Sequence, residues 1–250
     1  MATSVAERRQ GTENTTPDDG RSPAPSRPTH REGSGRRSDG PLGVLGGAFD
    51  PVHHGHLRLA IEIREQLGLA RVHLLPTGNP VHRGAPRAPA DARARMLAAA
   101  IGAAEELVLD RRELARSGPS FMVETLGSLR AEWPDRPLWL VLGMDQFEAL
   151  DTWHRWEELL DYAHIAVGQR QGSRPPADGP VAQLLRAHRG DPGRSPRAPH
   201  GTIAIVPIPT LDISSTRVRA LLASGRDPRY LLPAAVLSII RTEGLYADAK

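Results

Sequence analysis

Short apolar runs alternate along this chain with segments whose apolar residues recur every three or four positions. The runs Leu42–Leu45, Val72–Leu75, Leu107–Leu109, Leu138–Leu142, His164–Val167 and Ile203–Val206 read as strands, since each is brief and flanked by turn-forming or polar residues. Helical spacing marks Leu57–Leu67, Asp91–Ala104, Phe121–Arg130, Trp156–Leu160, Thr216–Ser224 and Ala234–Thr242. In the first of these, Leu57, Ala60, Ile61, Arg64 and Leu67 fall on one face. Ser120 is the expected N-cap of the third helix, and Pro233 the expected first residue of the last.

Strands without polar alternation are buried on both faces, and the intervening helices supply the cover. The pattern predicts an α/β domain: a Rossmann-like open, mostly parallel sheet with helices on both faces. Ligands are then expected beyond the carboxyl ends of the strands. Two stretches stand outside this order. Residues 1–40 are Ser, Thr, Pro, Gly, Arg and Asp with almost no aliphatics, so they bury too little surface to offset their ordering entropy. We expect a disordered tail there; Arg with Ser resembles a transit peptide, but Glu7, Glu13, Asp18 and Asp19 argue against one. Residues 171–200 are rich in Pro, Gly and Arg and carry one helix-capable piece, Val181–His188. They are expected to be a surface loop or insert within a single domain spanning 41–250.

Charge removes one functional class. The net charge is +3 while the isoelectric point is 9.9. Lys250 is the sole lysine and the other 31 basic residues are Arg, which stay protonated near pH 10. The tail and the insert together carry the basic excess, and what remains holds 20 basic against 21 acidic groups. No field for nucleic acid follows. With no cysteine there is neither a disulfide nor a thiolate metal site. No apolar run approaches twenty residues, and the amino terminus has no signal-peptide core, so the expectation is a cytoplasmic protein without a membrane partner.

The candidate chemistry begins after the first strand, in Gly46-Gly47-Ala48-Phe49-Asp50-Pro51-Val52-His53-His54-Gly55-His56. Strand, glycine turn and helix start form a geometry that holds phosphate, because first-turn N–H groups lack intrahelical partners. His53 and His56 flank Gly55, so both can donate to phosphate oxygens. A zinc site is the competing reading, but no cysteine and no carboxylate motif stands at ligand spacing. A second candidate is Ile213-Ser214-Ser215-Thr216-Arg217-Val218-Arg219. Ser214 or Ser215 can cap a helix on which Thr216 and Arg219 share a face, a combination suited to polyphosphate. Other nucleotide signatures are missing: no Gly-Lys-[Ser/Thr] loop, no G-x-G-x-x-G, no G-x-S-x-G and no H-E-x-x-H.

The G-x-F-D-P-x-H-x-G-H stretch, paired with I-S-S-T-x-x-R near the carboxyl end, resembles the nucleotidylyltransferase superfamily. Pro80-Val81-His82-Arg83, Gly143-Met144-Asp145, Thr152-Trp153-His154 and the end from Leu231-Leu232-Pro233 to Gly244-Leu245-Tyr246 resemble bacterial nicotinate-nucleotide adenylyltransferases. The resemblance covers 42–170 and 201–246. It implies transfer of AMP from ATP to nicotinate mononucleotide, giving deamido-NAD and pyrophosphate, with Mg²⁺ accompanying ATP and no covalent intermediate. It also implies roles. His53, His56 and Arg219 would act on the phosphates in the reaction. Gly46, Gly47 and Phe49 would line the nucleotide cleft, His82 and Arg83 would reach the phosphates from a loop, and Ser215 and Thr216 would hold the β,γ-phosphates. Asp145 would lie at a ribose hydroxyl and Trp153 on the pyridine ring, with backbone amides near Trp153 and His154 receiving the carboxylate. Nicotinamide mononucleotide or phosphopantetheine is the alternative acceptor, and a nucleotide-binding module without catalysis the alternative class. Two positions depart from the family: Phe121 and Met122 stand where its pattern S-Y-T-x-x-T-L has hydroxyls, and Val81 replaces a common proline.

Overall fold

The computed structural model describes residues 40–80, 84–193, 196 and 198–247. The tail up to residue 39 and the loop residues His82 and Arg83 lie outside them.

All six expected strands form and pair in parallel as one sheet. They are β1 (Leu42–Gly47), β2 (Arg71–Pro76), β3 (Leu107–Leu109), β4 (Leu138–Gly143), β5 (His164–Gln169) and β6 (Ile203–Pro207), in the order β3-β2-β1-β4-β5-β6. The chain therefore reverses its direction of winding between β1 and β4. Their pairing covers only Leu42–Leu138, Gly43–Trp139 and Val44–Leu140, whereas β1 stays on β2 as far as Gly47–Pro76. Beyond Val44 the sheet parts, and a crevice opens at the carboxyl ends of the two central strands.

Alternate strand residues feed two cores. Trp139 and Val141 join the side covered by α1 (His54–Leu67), α2 (Ala90–Ile101), α8 (Ser215–Ala223) and α9 (Ala234–Thr242). Leu138, Leu140 and Leu142 join the side covered by α4 (Met122–Glu132), α5 (Met144–Glu148), α6 (Leu159–Tyr162) and α7 (Gly179–His188). The remaining helix, α3, is the single turn Arg112–Ala115 after β3. Gly68, left-handed at φ 63, ends α1. Among the described residues no helix is long and apolar enough to cross a membrane.

Several boundaries differ from the sequence expectation. Phe121 occupies the N-cap of α4, because the Ser120 hydroxyl is engaged by the Asn79 amide at 3.2 Å. Pro233 is the N-cap of α9 and not its first helical residue. The segment Trp156–Leu160 divides into a 3₁₀ turn, Trp156–Glu158, and α6. Within 171–200 the helix-capable piece Val181–His188 forms as α7, beginning two residues earlier, and its Val181 and Leu185 are buried in the second core, so this part is no surface loop. The chain after it is tied down as well: Gly190 donates to the Ile203 carbonyl at 2.9 Å and Arg130 reaches the Pro199 carbonyl at 2.9 Å.

Candidate active site

The loop from Gly46 to His53 leaves β1 at the mouth of the crevice and enters α1. The terminal methyl of Met122, from α4, lies against Gly46, in the space a Cβ there would take. Phe49 takes a positive φ of 48 and is buried at 1% exposure, its ring edge-on to His56 at 5.0 Å. It supports the loop from below and does not face the cleft. The loop's carbonyls are drawn back by donors from other elements. Gly47 O accepts from Thr77 N at 2.9 Å, Ala48 O from Arg93 at 2.7 Å, Asp50 O from Arg219 at 2.6 Å and Pro51 O from the Ser215 hydroxyl at 2.9 Å. Drawing these negative dipole ends away favours an anion at the loop.

His53 caps α1 in an extended conformation, and its ring stacks on that of His56 with centroids 3.7 Å apart. Burial, reinforced by Arg170 and His54, pushes its pKa down to about 4, so the imidazole is neutral at pH 7. Its Nδ1 is buried without a hydrogen-bond partner. The His56 Nδ1 accepts from the His53 amide at 3.3 Å, which leaves Nε2 as the donor of that ring. Gly55 explains the spacing of the two histidines. A Cβ there would meet His53 Cε1 and Nδ1 at 3.0 Å and the Ile213 carbonyl at 3.5 Å.

The second stretch packs onto this loop from more than 160 residues away. Ser214 is the N-cap of α8, accepting from the Arg217 amide at 3.2 Å. Ser215 uses its hydroxyl on Pro51 O at the start of α8. Arg219 bonds Asp50 O through Nη1 and Thr216 Oγ1 through Nη2 at 3.2 Å, and its guanidinium lies 3.8 Å from the Asp50 carboxylate. Two cationic or donor elements thus share one loop.

Across the crevice, β4 ends at Gly143, the N-cap of α5. A Cβ at Gly143 would lie 2.7 Å from Asp145 Oδ1, so glycine lets this exposed carboxylate fold back over the strand end. Trp153 is half-buried against the second core, and its amide is engaged by the Leu150 carbonyl at 3.0 Å. Phe121 and the exposed His154 face each other with ring centroids 4.2 Å apart. The departures from the family pattern, Phe121 and Met122, therefore stand at the crevice itself.

Other contributors were not legible as site residues. Asp50, 5% exposed, accepts from the amides of Arg87 at 2.8 Å and Ala88 at 3.1 Å and from the Tyr246 hydroxyl at 2.7 Å. Arg93, 1% exposed, donates to the carbonyls of Ala48, Thr77 and Ala88. Arg170, just beyond β5, lines a small surface notch with Gly55, Leu59, Ile208 and Pro209. Of these, Asp50 stood inside the G-x-F-D-P stretch without a role of its own, and Arg93 and Arg170 stood in no motif. Among the described residues no group of three or more His, Cys, Asp or Glu is placed to hold a metal ion.

Residues 44–221 match the cytidylyltransferase-like family model. A protein of Aeromonas hydrophila named as a probable nicotinate-nucleotide adenylyltransferase is 48% identical over 210 residues, which is 84% of this chain and 98% of that one. One of the same name from Methylococcus capsulatus is 45% identical, covering 82% and 99%. Among solved structures, Plasmodium falciparum nicotinic acid mononucleotide adenylyltransferase complexed with NaAD superposes with a TM-score of 0.65 at 15% identity, covering 83% of this chain and 97% of that one.

Proposed function

The chain belongs to the nicotinate-nucleotide adenylyltransferases, nucleotidyltransferases of NAD biosynthesis, and from that premise we propose that it joins ATP to nicotinate mononucleotide. The products are deamido-NAD and pyrophosphate. An oxygen of the acceptor's phosphate forms a bond to the α-phosphorus of ATP while the bond from that phosphorus to the α,β-bridging oxygen breaks. The electron pair leaves with pyrophosphate. The attacking phosphate is already ionised near pH 7, so alignment and charge stabilisation carry the rate and no general base is needed.

Each residue then has a physical task. His56 donates from Nε2 to the α-phosphate, and His53, stacked behind it, presents its imidazole beside the same charge. The start of α8 offers amides to the β,γ-phosphates, with Thr216 and the Arg219 guanidinium beside them. Gly47 keeps the loop open to the triphosphate. His82 and Arg83 are proposed to approach it from the 80–84 segment. Asp145 takes a ribose hydroxyl. Trp153 stacks on the pyridine, whose carboxylate is received at the His154 amide, the Trp153 amide being spent on Leu150. Mg²⁺ arrives on the triphosphate as part of the substrate.

The observation that carries this reading is the meeting of the His53-Gly55-His56 loop with Ser215, Thr216 and Arg219 at the parting of β1 and β4. The test is product identity. Protein, ATP, Mg²⁺ and nicotinate mononucleotide are expected to yield deamido-NAD and pyrophosphate in equal amounts, and His56→Ala to abolish both. Pyrophosphate without deamido-NAD would overturn the choice of acceptor.

A further inference from the structure

The phosphate loop is anchored by a contact that spans nearly the whole domain. Its buried Asp50 carboxylate receives the Tyr246 hydroxyl at 2.7 Å, the shortest of the bonds it accepts. Tyr246 lies beyond α9, where the chain turns back through Gly244 at φ 62 and Leu245 donates to the Ile240 carbonyl at 3.0 Å. The tyrosine is 7% exposed and its ring belongs to the first core. Asp50 is also the residue whose carbonyl holds Arg219 and whose carboxylate lies 3.8 Å from that guanidinium. The hydroxyl, the carboxylate, the loop backbone and the arginine are thus one connected set of bonds. Among the described residues the Tyr246 hydroxyl bonds Asp50, which itself has no proposed substrate contact.

We propose that Tyr246 is a positioning residue, whose hydroxyl holds Asp50 so that the loop carbonyls stay withdrawn and Arg219 stays aimed at the triphosphate. This rests on the proposed ATP site but not on the identity of the acceptor. The geometry separates the hydroxyl from the ring. The ring fills core volume, which phenylalanine would fill equally, so Tyr246→Phe removes one hydrogen bond and leaves the packing. Asp50 Oδ1 would keep only the longer bond from Ala88, and with the Arg87 amide on Oδ2 as its other tether the carboxylate would be less restrained from turning toward Arg219 and pairing with the charge intended for phosphate. Burial together with Asp50 pushes the Tyr246 hydroxyl well above its ordinary range, so it remains a donor at any working pH.

The experiment uses the full chain and reads binding of magnesium–ATP by calorimetry, with thermal unfolding and turnover alongside. Tyr246→Phe is expected to raise the dissociation constant for ATP roughly tenfold, the size of one hydrogen bond to a charged group. The midpoint of unfolding should stay within about 4 °C of the parent, and KM for the pyridine nucleotide should stay within about twofold, its contacts lying across the crevice. An unchanged ATP affinity in a folded variant would overturn the proposal and leave the hydroxyl a stability role only. Asp50→Asn and the double variant close a cycle. The two changes should be strongly non-additive in ATP affinity if the residues act as a unit, and additive effects would also overturn it. Should Tyr246→Phe fail to fold, Asp50→Asn decides alone, a lost ATP affinity with retained folding supporting the tether and a retained affinity refuting it. If the parent binds ATP but forms no deamido-NAD, the acceptor reading fails while this one is still judged on affinity.

Discussion

Gly55→Ala probes why glycine separates the two histidines. The added methyl would sit 3.0 Å from Cε1 and Nδ1 of the His53 ring, against about 3.5–4.0 Å for an unstrained carbon contact. The ring must therefore retreat by roughly half an ångström. It has nowhere to go, since His56 is stacked on it at 3.7 Å and the residue is only 5% exposed. Overpacking of this kind costs about 1–3 kcal/mol, offset by about 0.4–1 kcal/mol gained by stiffening the unfolded chain. A net loss of about 1–2 kcal/mol lowers the unfolding midpoint by about 3–6 °C for a domain of this size. Catalysis should suffer more, because a displacement of about half an ångström in an aligned group costs on the order of 10-fold in rate, against about 100-fold for a full ångström. Circular dichroism melting and steady-state turnover read the two effects. Gly47→Ala is the control: its Cβ would meet the Phe49 ring at an ordinary 3.6 Å, so the fold should be unharmed and only KM for ATP should rise. Full activity and an unchanged melt in Gly55→Ala would refute the steric account of the motif.

Stability should fall in acid for a reason located in two buried imidazoles. Burial holds both His53 and His164 down to about 4. Between that value and the ordinary 6.5 the unfolded chain binds more protons than the folded one, so stability is fully present above pH 6.5. It is lost as pH falls toward 4, by about 2–3 kcal/mol for each histidine. Urea midpoints measured from pH 7.5 to 4.5 test this, and a flat profile would contradict it. Arg93→Met should destabilise the fold by about 3–5 kcal/mol, since the carbonyls of Ala48, Thr77 and Ala88 would be left without their donor. A loss under about 1 kcal/mol in urea titration would show that water replaces the guanidinium.

The sheet was legible because buried parallel strands announce themselves as short apolar runs, and all six were found within two residues of their ends. The helices α3 and α5 were not, since four or five residues are too few to show a helical period. In the 171–200 stretch the helix-capable piece Val181–His188 forms, beginning two residues earlier at Gly179, but the proline, glycine and arginine around it gave no sign that Val181, Ala182 and Leu185 would be buried. The histidines and the Ser215–Arg219 helix could be named because their chemistry is local. Asp50 could not be distinguished from a turn residue, because its partners, Arg87, Ala88 and Tyr246, are brought to it only by the fold. Ser120 failed as a cap for the same reason: a hydroxyl that can serve its own helix was captured by Asn79 of another loop.

The most direct test of the central claim is the ratio of kcat/KM for nicotinate mononucleotide to that for nicotinamide mononucleotide, read as pyrophosphate release with ATP and Mg²⁺. The two acceptors differ in one group, which the proposed site reads beside Trp153 and His154. A charged carboxylate received at the His154 amide should give a preference of about 100-fold or more for the acid, as expected for loss of a hydrogen bond to a charged group. Equal or reversed preference would contradict the account, placing the discrimination elsewhere and removing nicotinate from the proposed reaction.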